Sequence, residues 1–384
     1  MIRFLIFSVV LALLTWWLQR RLVRRTRLPQ PWSRAATIAL VGLWVFASIG
    51  VGSGEVFDPD WARGPAFVGW AWLGIAFYIA LGLVVIALGL LVARLVRRVR
   101  RTSDGKAQGR GPLAAVRIAT AVVVVAAVGV GTFGLVAAAR PQVVRADIAL
   151  DQLPTEFDGV RVALISDLHV GPSRGRAFTQ RVVDLVNAEQ PDLVLIAGDL
   201  VDGTVEKVGP DLAPLAQLSA PLGVFGVSGN HEYYSGDGGR WLDVWDGLGI
   251  HTLRNDRVGV ERDGARIEIA GIHDYSAPEP YQPDLPAALA GSDPNSFVLL
   301  LAHEPRQAQE ASDLGVDLQV SGHTHGGQMW PINYLVPLQQ PMVEGLGTVG
   351  DTTLYTSRGA GAWGPPMRVG AAPEVTILEL TRGD

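Results

Sequence analysis

Four apolar stretches crowd the first third of this chain, at about residues 2–19, 35–52, 66–91 and 113–139. Each is close to the roughly 17–25 residues that carry an α-helix across the hydrocarbon core of a bilayer. Internal charges are nearly absent from them, so buried soluble helices are a poor account of all four. The reading is an all-α transmembrane region of four helices over residues 1–140. The first stretch could instead be a signal peptide. However, no small-residue cleavage site follows Trp16-Trp17-Leu18, and an Arg cluster does, so it is read as an uncleaved span. Pro141 stops the last helix. Residues 142–150 read as a strand that opens a soluble domain over 142–384. With no long Gly/Ser linker, that domain should sit close to the bilayer.

The loops suggest an orientation. Arg20, Arg21, Arg24, Arg25, Arg27 and Arg34 lie between the first two spans, and Arg94, Arg97, Arg98, Arg100, Arg101, Lys106 and Arg110 between the last two. The middle loop carries Glu55, Asp58 and Asp60 against Arg63 alone. Basic loops stay cytoplasmic. The expectation is therefore a multi-pass protein of the cytoplasmic membrane with residues 142–384 outside, although Arg3 at the outer end is a minor dissent. A net charge of −5 leaves no basic footprint for nucleic acid, so no such partner is expected. The chain has no Cys, which excludes disulfides and Cys-type zinc fingers.

Beyond residue 142, strand-like runs alternate with helix-like ones, at 160–165, 193–197, 224–228, 267–272, 297–302, 318–321, 353–357 and 374–380, with a helical spacing over 178–188. This argues for an α/β fold. Polar residues stand where strands end: Asp167 and His169, then Asp199, then Asn230, His231 and Glu232, then His303, then His323 and His325. Asp167 and His169 are two residues apart, so on an extended backbone they share a side. Carboxylate oxygen with imidazole nitrogen suits a borderline divalent cation such as Zn, Mn or Fe. Of the chain's 7 histidines, His169, His231, His303, His323 and His325 all belong to this set. Carboxyl ends of strands are where α/β proteins assemble ligand sites, and the glycines just before these residues allow sharp turns and close approach.

Asp167-Leu168-His169, Gly198-Asp199, Gly229-Asn230-His231-Glu232, His303 and Gly322-His323-Thr324-His325 resemble, in order, the five blocks of the calcineurin-like metallophosphoesterases. The flanking residues Ser166, 321–328 and Ser357-Arg358-Gly359 look most like a membrane-associated bacterial branch similar to YkuE and UDP-2,3-diacylglucosamine pyrophosphatase-like enzymes. The resemblance covers about 142–384 and implies a two-sheet α/β/β/α sandwich holding two divalent metal ions, most readily Mn, Fe or Zn. It puts Asp167, His169 and His325 on the first metal, Asn230, His303 and His323 on the second, and Asp199 on both. It also implies hydrolysis of a phosphoester by a metal-activated hydroxide. Asp199 and His231 would be the catalytic residues, His231 serving the leaving group from outside both metal shells.

Other residues carry less. Glu232 could orient His231 or be exposed, and Asp202 could support a ligand. Arg174, Arg176 and Arg358 could hold a phosphate. His251 and His273 read as structural or surface residues. Met329, Trp330, Ile332 and Tyr334 read as core packing, with a lipid-facing rim as the sharper alternative. The expected substrate is a phosphoester, in particular a phosphodiester of lipid or cell envelope. The rivals are a cytoplasmic-facing UDP-sugar-lipid pyrophosphatase and a non-catalytic, metal-stabilised membrane receptor.

Overall fold

The computed structural model describes residues 2–100 and 112–383, so Arg101, Lys106 and Arg110 of the second basic loop lie outside the described residues. Helix α1 (Ile2–Leu18) runs on as a π-helical segment, Gln19–Arg24, and is followed by α2 (Gln30–Gly52), α3 (Pro59–Arg100) and α4 (Pro112–Ala138). All four are long and apolar enough to cross a membrane. α3 outruns the stretch read from hydropathy. Its 42 residues span about 63 Å at about 1.5 Å each, roughly twice a hydrocarbon core. Hydropathy marks only the part of a helix that lipid surrounds, so its polar ends go unread. Inward, Leu18, Ala76, Ile79, Leu83 and Ala127 form a small core, while Ile2, Val9, Ile38, Val85, Ile118 and Val125 face outward. Gly69 lets α2 and α3 meet backbone to backbone, because a Cβ there would overlap the Phe46 carbonyl.

The two ends of the helical bundle differ in chemistry. At one end Arg117 donates from Nε to the Thr26 carbonyl at 2.6 Å and from Nη2 to the Arg27 carbonyl at 2.9 Å, tying the start of α4 to the first Arg-rich segment. At the other end the turn between α2 and α3 docks on the rest of the protein. Thr204 N–H donates to the Gly54 carbonyl at 3.0 Å, and Arg63 pairs with Asp211 at 2.5 Å and reaches the Gly171 carbonyl at 3.3 Å.

α4 then leads through a turn at Ala139 and Arg140 into the strands. In chain order these are β1 (Gln142–Leu150), β2 (Val160–Ile165), β3 (Leu193–Ala197), β4 (Val224–Val227), β5 (His251–Thr252), β6 (Asp256–Arg262), β7 (Ala265–Gly271), β8 (Val298–Leu301), β9 (Leu318–Ser321), β10 (Gly345–Val349), β11 (Thr352–Thr356) and β12 (Glu374–Arg382). They form two mixed six-stranded sheets, ordered β1-β12-β2-β3-β4-β5 and β10-β11-β9-β8-β7-β6. Within them β2, β3, β4 and β5 are mutually parallel, as are β7, β8, β9 and β11, so their carboxyl ends gather at one edge.

The period of two decides what each strand face does. Val162, Leu164, Leu193 and Leu195 face Leu299, Leu301, Leu318 and Val320 between the sheets. Their neighbours Ala163, Ile165, Val194 and Ile196 lie beneath α5 (Arg176–Ala188) and the indoles of Trp241 and Trp245. On the far side, Ala270, Val298 and Leu300 pack with Leu285, Ala288 and Ala311. The layers are helix, sheet, sheet, helix: the α/β/β/α sandwich expected from the resemblance. Both faces of each sheet are covered, which is why the central strands read as continuous apolar runs rather than alternating ones.

Candidate metal centre

Each polar block sits on the turn that follows a strand: Asp167 and His169 after β2, Asp199 after β3, Asn230 and His231 after β4, His303 after β8, and His323 and His325 after β9. Five of these residues have left-handed backbone: Asp167 (φ 55), His169 (47), Asp199 (54), His323 (70) and His325 (53). A non-glycine residue held there is strained, and such strain persists where the surroundings over-determine it, typically at functional sites. The turns also press together. A Cβ on Gly229 would overlap the Asp199 carboxylate, so only glycine lets the β3 and β4 turns approach this closely.

The side chains converge as two adjoining groups. In the first, His169 Nε2 lies 3.0 Å from His325 Nε2, and Asp167 Oδ1 lies 3.2 Å from His325 Nε2 and 3.8 Å from His169 Nε2. In the second, Asn230 Oδ1 lies 3.2 Å from both His303 Nε2 and His323 Nδ1, which are 3.3 Å apart. Asp199 Oδ2 joins the groups, 3.7 Å from His169 Nε2 and 3.2 Å from His303 Nε2. Its other oxygen, Oδ1, accepts the His231 backbone N–H at 2.8 Å. Among the described residues, geometry alone thus gathers three overlapping groups able to hold a metal: Asp167, His169 and His325; Asp199, His303 and His323; and His169, Asp199 and His231, which brings His231 nearer the cluster than the resemblance implies.

The supporting hydrogen bonds aim the donor atoms inward. His169 Nδ1 donates to Asp202 at 3.0 Å and His303 Nδ1 donates to the Ala197 carbonyl at 2.6 Å, which leaves each Nε2 lone pair facing the cluster. Asn230 Nδ2 donates to Tyr234 Oη at 2.7 Å, turning the amide so that its oxygen faces the histidines. Burial pushes Asp199 and Asp202 upward, but the histidines around them hold both well below the ordinary carboxylate range. Burial pushes His169 down, yet Asp202, Asp167 and Asp199 outweigh it and carry it up to about 10. Burial lowers His325 to about 3, so it stays a neutral ligand. A buried set of carboxylates that pulls protons onto a neighbouring histidine is a set that calls for cations, and this donor chemistry fits borderline divalent ions.

Of the supports, sequence reasoning found Asp202 but missed the roles of Glu232 and Arg368. Glu232 is fully buried, and its carboxylate accepts the backbone N–H groups of Gly229 (2.7 Å), Leu200 (2.8 Å) and Asp199 (3.1 Å), clamping the β3 turn to the β4 turn. Burial, followed by repulsion from Asp199, raises it to about 7. Asp202 Oδ1 accepts from His231 Nδ1 at 2.6 Å as well as from His169, so one carboxylate orients both rings. Arg368, 1% exposed, donates to the carbonyls of His325 (2.7 Å), Gly361 (2.8 Å), Arg358 (2.7 Å) and Gly359 (3.0 Å), and its own N–H reaches the Gly134 carbonyl of α4 at 3.0 Å. Nothing in the local sequence marks that arginine.

Other expectations resolve differently. Arg174 is buried against the Ala362 carbonyl at 2.9 Å, Arg176 contacts the Pro210 carbonyl at 3.4 Å, and Arg358 Nε donates to Glu374 at 2.6 Å. Each is spent on a structural partner instead of being held toward the cluster. His251 is exposed. His273 is buried and accepts from Tyr233 Oη at 2.8 Å. Core packing holds for Met329, but Trp330, Ile332 and Tyr334 are exposed.

The sequence profile described as calcineurin-like phosphoesterase matches residues 160–327, which contain every one of these ligand candidates. The chain belongs to the calcineurin-like metallophosphoesterases and is a phosphoesterase hydrolase built into a membrane protein. It is 35% identical over 328 residues to a Danio rerio transmembrane protein with metallophosphoesterase domain, spanning 80% of this chain and 74% of that one. It is 39% identical over 246 residues to an uncharacterized metallophosphoesterase of Helicobacter pylori (63% and 64%). It is also 32% identical over 240 residues to the uncharacterized metallophosphoesterase YkuE of Bacillus subtilis (59% and 81%).

Proposed function

We propose that this protein is a dinuclear metal-dependent phosphoesterase, anchored by four spans over residues 1–140, whose domain over 142–384 faces outward from the cytoplasmic membrane and hydrolyses a phosphodiester of lipid or cell envelope. The observation that carries the dinuclear reading is Asp199 Oδ2, which stands between His169 Nε2 of one group and His303 Nε2 of the other. Asp167, His169 and His325 would hold one cation, Asn230, His303 and His323 the other, with Asp199 shared. When bound, the pair supplies Lewis-acid charge to the phosphoryl oxygens and makes hydroxide available near neutral pH.

The remaining steps belong to the chain's own residues. Asn230 contributes an oxygen without charge, so the centre keeps net positive charge for an anionic ester. Although His231 comes within reach of His169 and Asp199, its Nδ1 is committed to Asp202. We assign it to the leaving group, where it gives a proton to the departing oxygen. Asp202 fixes the ring in that pose, and Glu232 holds the turns that set the distance between the two groups.

Orientation follows from charge. The centre and the docked α2–α3 turn lie at one end of the helices, and Arg117 joins the first Arg-rich segment at the other. Arg-rich loops stay inside, which supports a centre that faces outward, away from nucleotide-linked lipid precursors. Two measurements test this. The purified full chain should hydrolyse bis(p-nitrophenyl) phosphate with Mn²⁺ and stop with chelator. A C-terminal alkaline phosphatase fusion should be active and a green fluorescent protein fusion dark. A bright fluorescent fusion with inactive phosphatase would reverse the orientation and favour the cytoplasmic pyrophosphatase.

A further inference from the structure

The proposed metal centre opens into one cavity, and a second, more polar one adjoins it on the other side of His231. The larger, about 500 Å³, has Asp199, Asn230, His323 and His325 at its base and Met329, Ile332, Val336 and Pro365 along its walls. One more wall residue, Phe77, comes from the middle of α3, a helix long and apolar enough to span the membrane. The smaller, about 140 Å³, is lined by Ser53, Glu55, Ser173, Asp202 and Ser235. His231, Tyr234 and Trp363 line both and so form the partition between them. The His231 and Tyr234 rings lie 4.6 Å apart, and those of His231 and Trp363 5.8 Å apart.

The apolar cavity also sits at the membrane. The 363–370 loop beside it rests on the spans themselves: Met367 and Pro365 crowd Gly74 of α3, and Arg368 N–H donates to Gly134 of α4, four residues before that helix ends. The 330–338 loop on its other flank presents Trp330 (53% exposed), Tyr334 (69%), Leu335 (59%) and Leu338 (79%). Aromatic and aliphatic side chains left in the open beside a span match the interfacial belt where amphipathic rings meet headgroups.

We propose that the substrate is a lipid phosphodiester taken sideways from the outer leaflet. The hydrocarbon chain lies in the Phe77–Ile332–Val336 groove, and the polar alcohol lies across the His231 partition beside Glu55 and Ser235. The proposal rests on the phosphoesterase reading above and adds that a membrane helix forms part of the substrate site. Water adds across the phosphorus–oxygen bond on the polar side. That bond breaks, its oxygen takes a proton from His231, and a phosphomonoester remains on the hydrocarbon chain. The lipid fits on two counts: the groove is continuous from a membrane helix to the ligand histidines, and the pocket beyond His231, about 140 Å³, has room for a small polar group such as a headgroup alcohol.

The test uses the full chain in nanodiscs with Mn²⁺ and a series of alkyl p-nitrophenyl phosphates with chains of two to sixteen carbons. The reacting centre is constant, so only the chain varies. KM should fall by about two- to fourfold per methylene as the groove fills and then level off. An Ile332→Ser/Val336→Ser variant, and separately Phe77→Ser, should lower the ratio of KM values between the two-carbon and twelve-carbon esters by about tenfold, with metal content reporting that the variants are folded. A flat series in the wild type overturns the proposal while leaving phosphoesterase function intact. So does an unchanged ratio in metal-loaded variants, which would mean that chains merely partition into the bilayer. Failure to hydrolyse any ester in the series, the two-carbon one included, overturns the phosphoesterase reading itself.

Discussion

Replacing Asp202 with Asn tests whether one carboxylate orients both a metal ligand and the proton donor. Its Oδ1 accepts from His169 Nδ1 at 3.0 Å and from His231 Nδ1 at 2.6 Å, and its side chain is 18% exposed. A hydrogen bond to a charged acceptor is worth about 1.5–3 kcal/mol, against about 1 kcal/mol for a neutral one. If the Asn oxygen keeps both bonds, each ring loses about 1–2 kcal/mol of orientation, roughly five- to thirtyfold. If instead the Asn amide turns its N–H₂ to the rings, both Nδ1 atoms must become acceptors and both Nε2 atoms carry the proton. His169 Nε2 then has no lone pair for a cation, and the loss is larger. We expect kcat to fall about 10–100-fold and Mn²⁺ affinity to fall about 10–100-fold. The assay pairs Mn²⁺ titration with turnover of bis(p-nitrophenyl) phosphate and of a diester with an alkyl alcohol leaving group. Asp202→Asn within twofold of wild type in both affinity and turnover would refute the shared-carboxylate reasoning.

Two further perturbations separate chemistry from architecture. His231→Ala should cost about 10²–10⁴ in rate on poor leaving groups and much less on p-nitrophenyl esters, with metal content retained; equal losses on both, or lost metal, would contradict its role. His273 is lowered by burial to about 4, against an ordinary value of 6.5, and accepts the Tyr233 hydroxyl. The unfolded chain therefore binds the proton more readily, and the contribution of neutral His273, up to about 3 kcal/mol, is complete above pH 6.5 and fades as pH falls toward 4. His273→Gln should flatten that part of the melting-temperature profile, and an identical slope in wild type and variant would remove His273 from the account.

How much of this was legible in the sequence depends on the residue. The ligand candidates were readable because polar atoms at the ends of apolar strands have few roles other than gathering at one edge of an α/β sheet. The hairpin between β6 and β7 was missed although Asp263-Gly264, both left-handed (φ 51 and 92), is a strong two-residue turn signal. β5 and β10 are too short or too exposed to show a pattern. Glu232 and Arg368 were illegible for another reason. A charged residue in a loop is usually solvated, and only the three backbone N–H groups around Glu232 and the four carbonyls around Arg368 explain why these are buried. Trp330 and Tyr334 read as core because large apolar side chains are usually buried, and hydropathy does not mark the ones left exposed.

If Asp199 is shared by two cations, metal stoichiometry and turnover should rise and fall together. Full-length wild type, stripped and titrated with Mn²⁺, should bind two ions per chain and regain hydrolysis of bis(p-nitrophenyl) phosphate as the second binds. Asp199→Asn should weaken both ions and abolish turnover, because one oxygen serves both groups. An Asp199→Asn protein that keeps two ions and a near-wild-type rate would mean that Asp199 is not shared, and a stripped wild type that hydrolyses at full speed would mean that the reaction needs no metal.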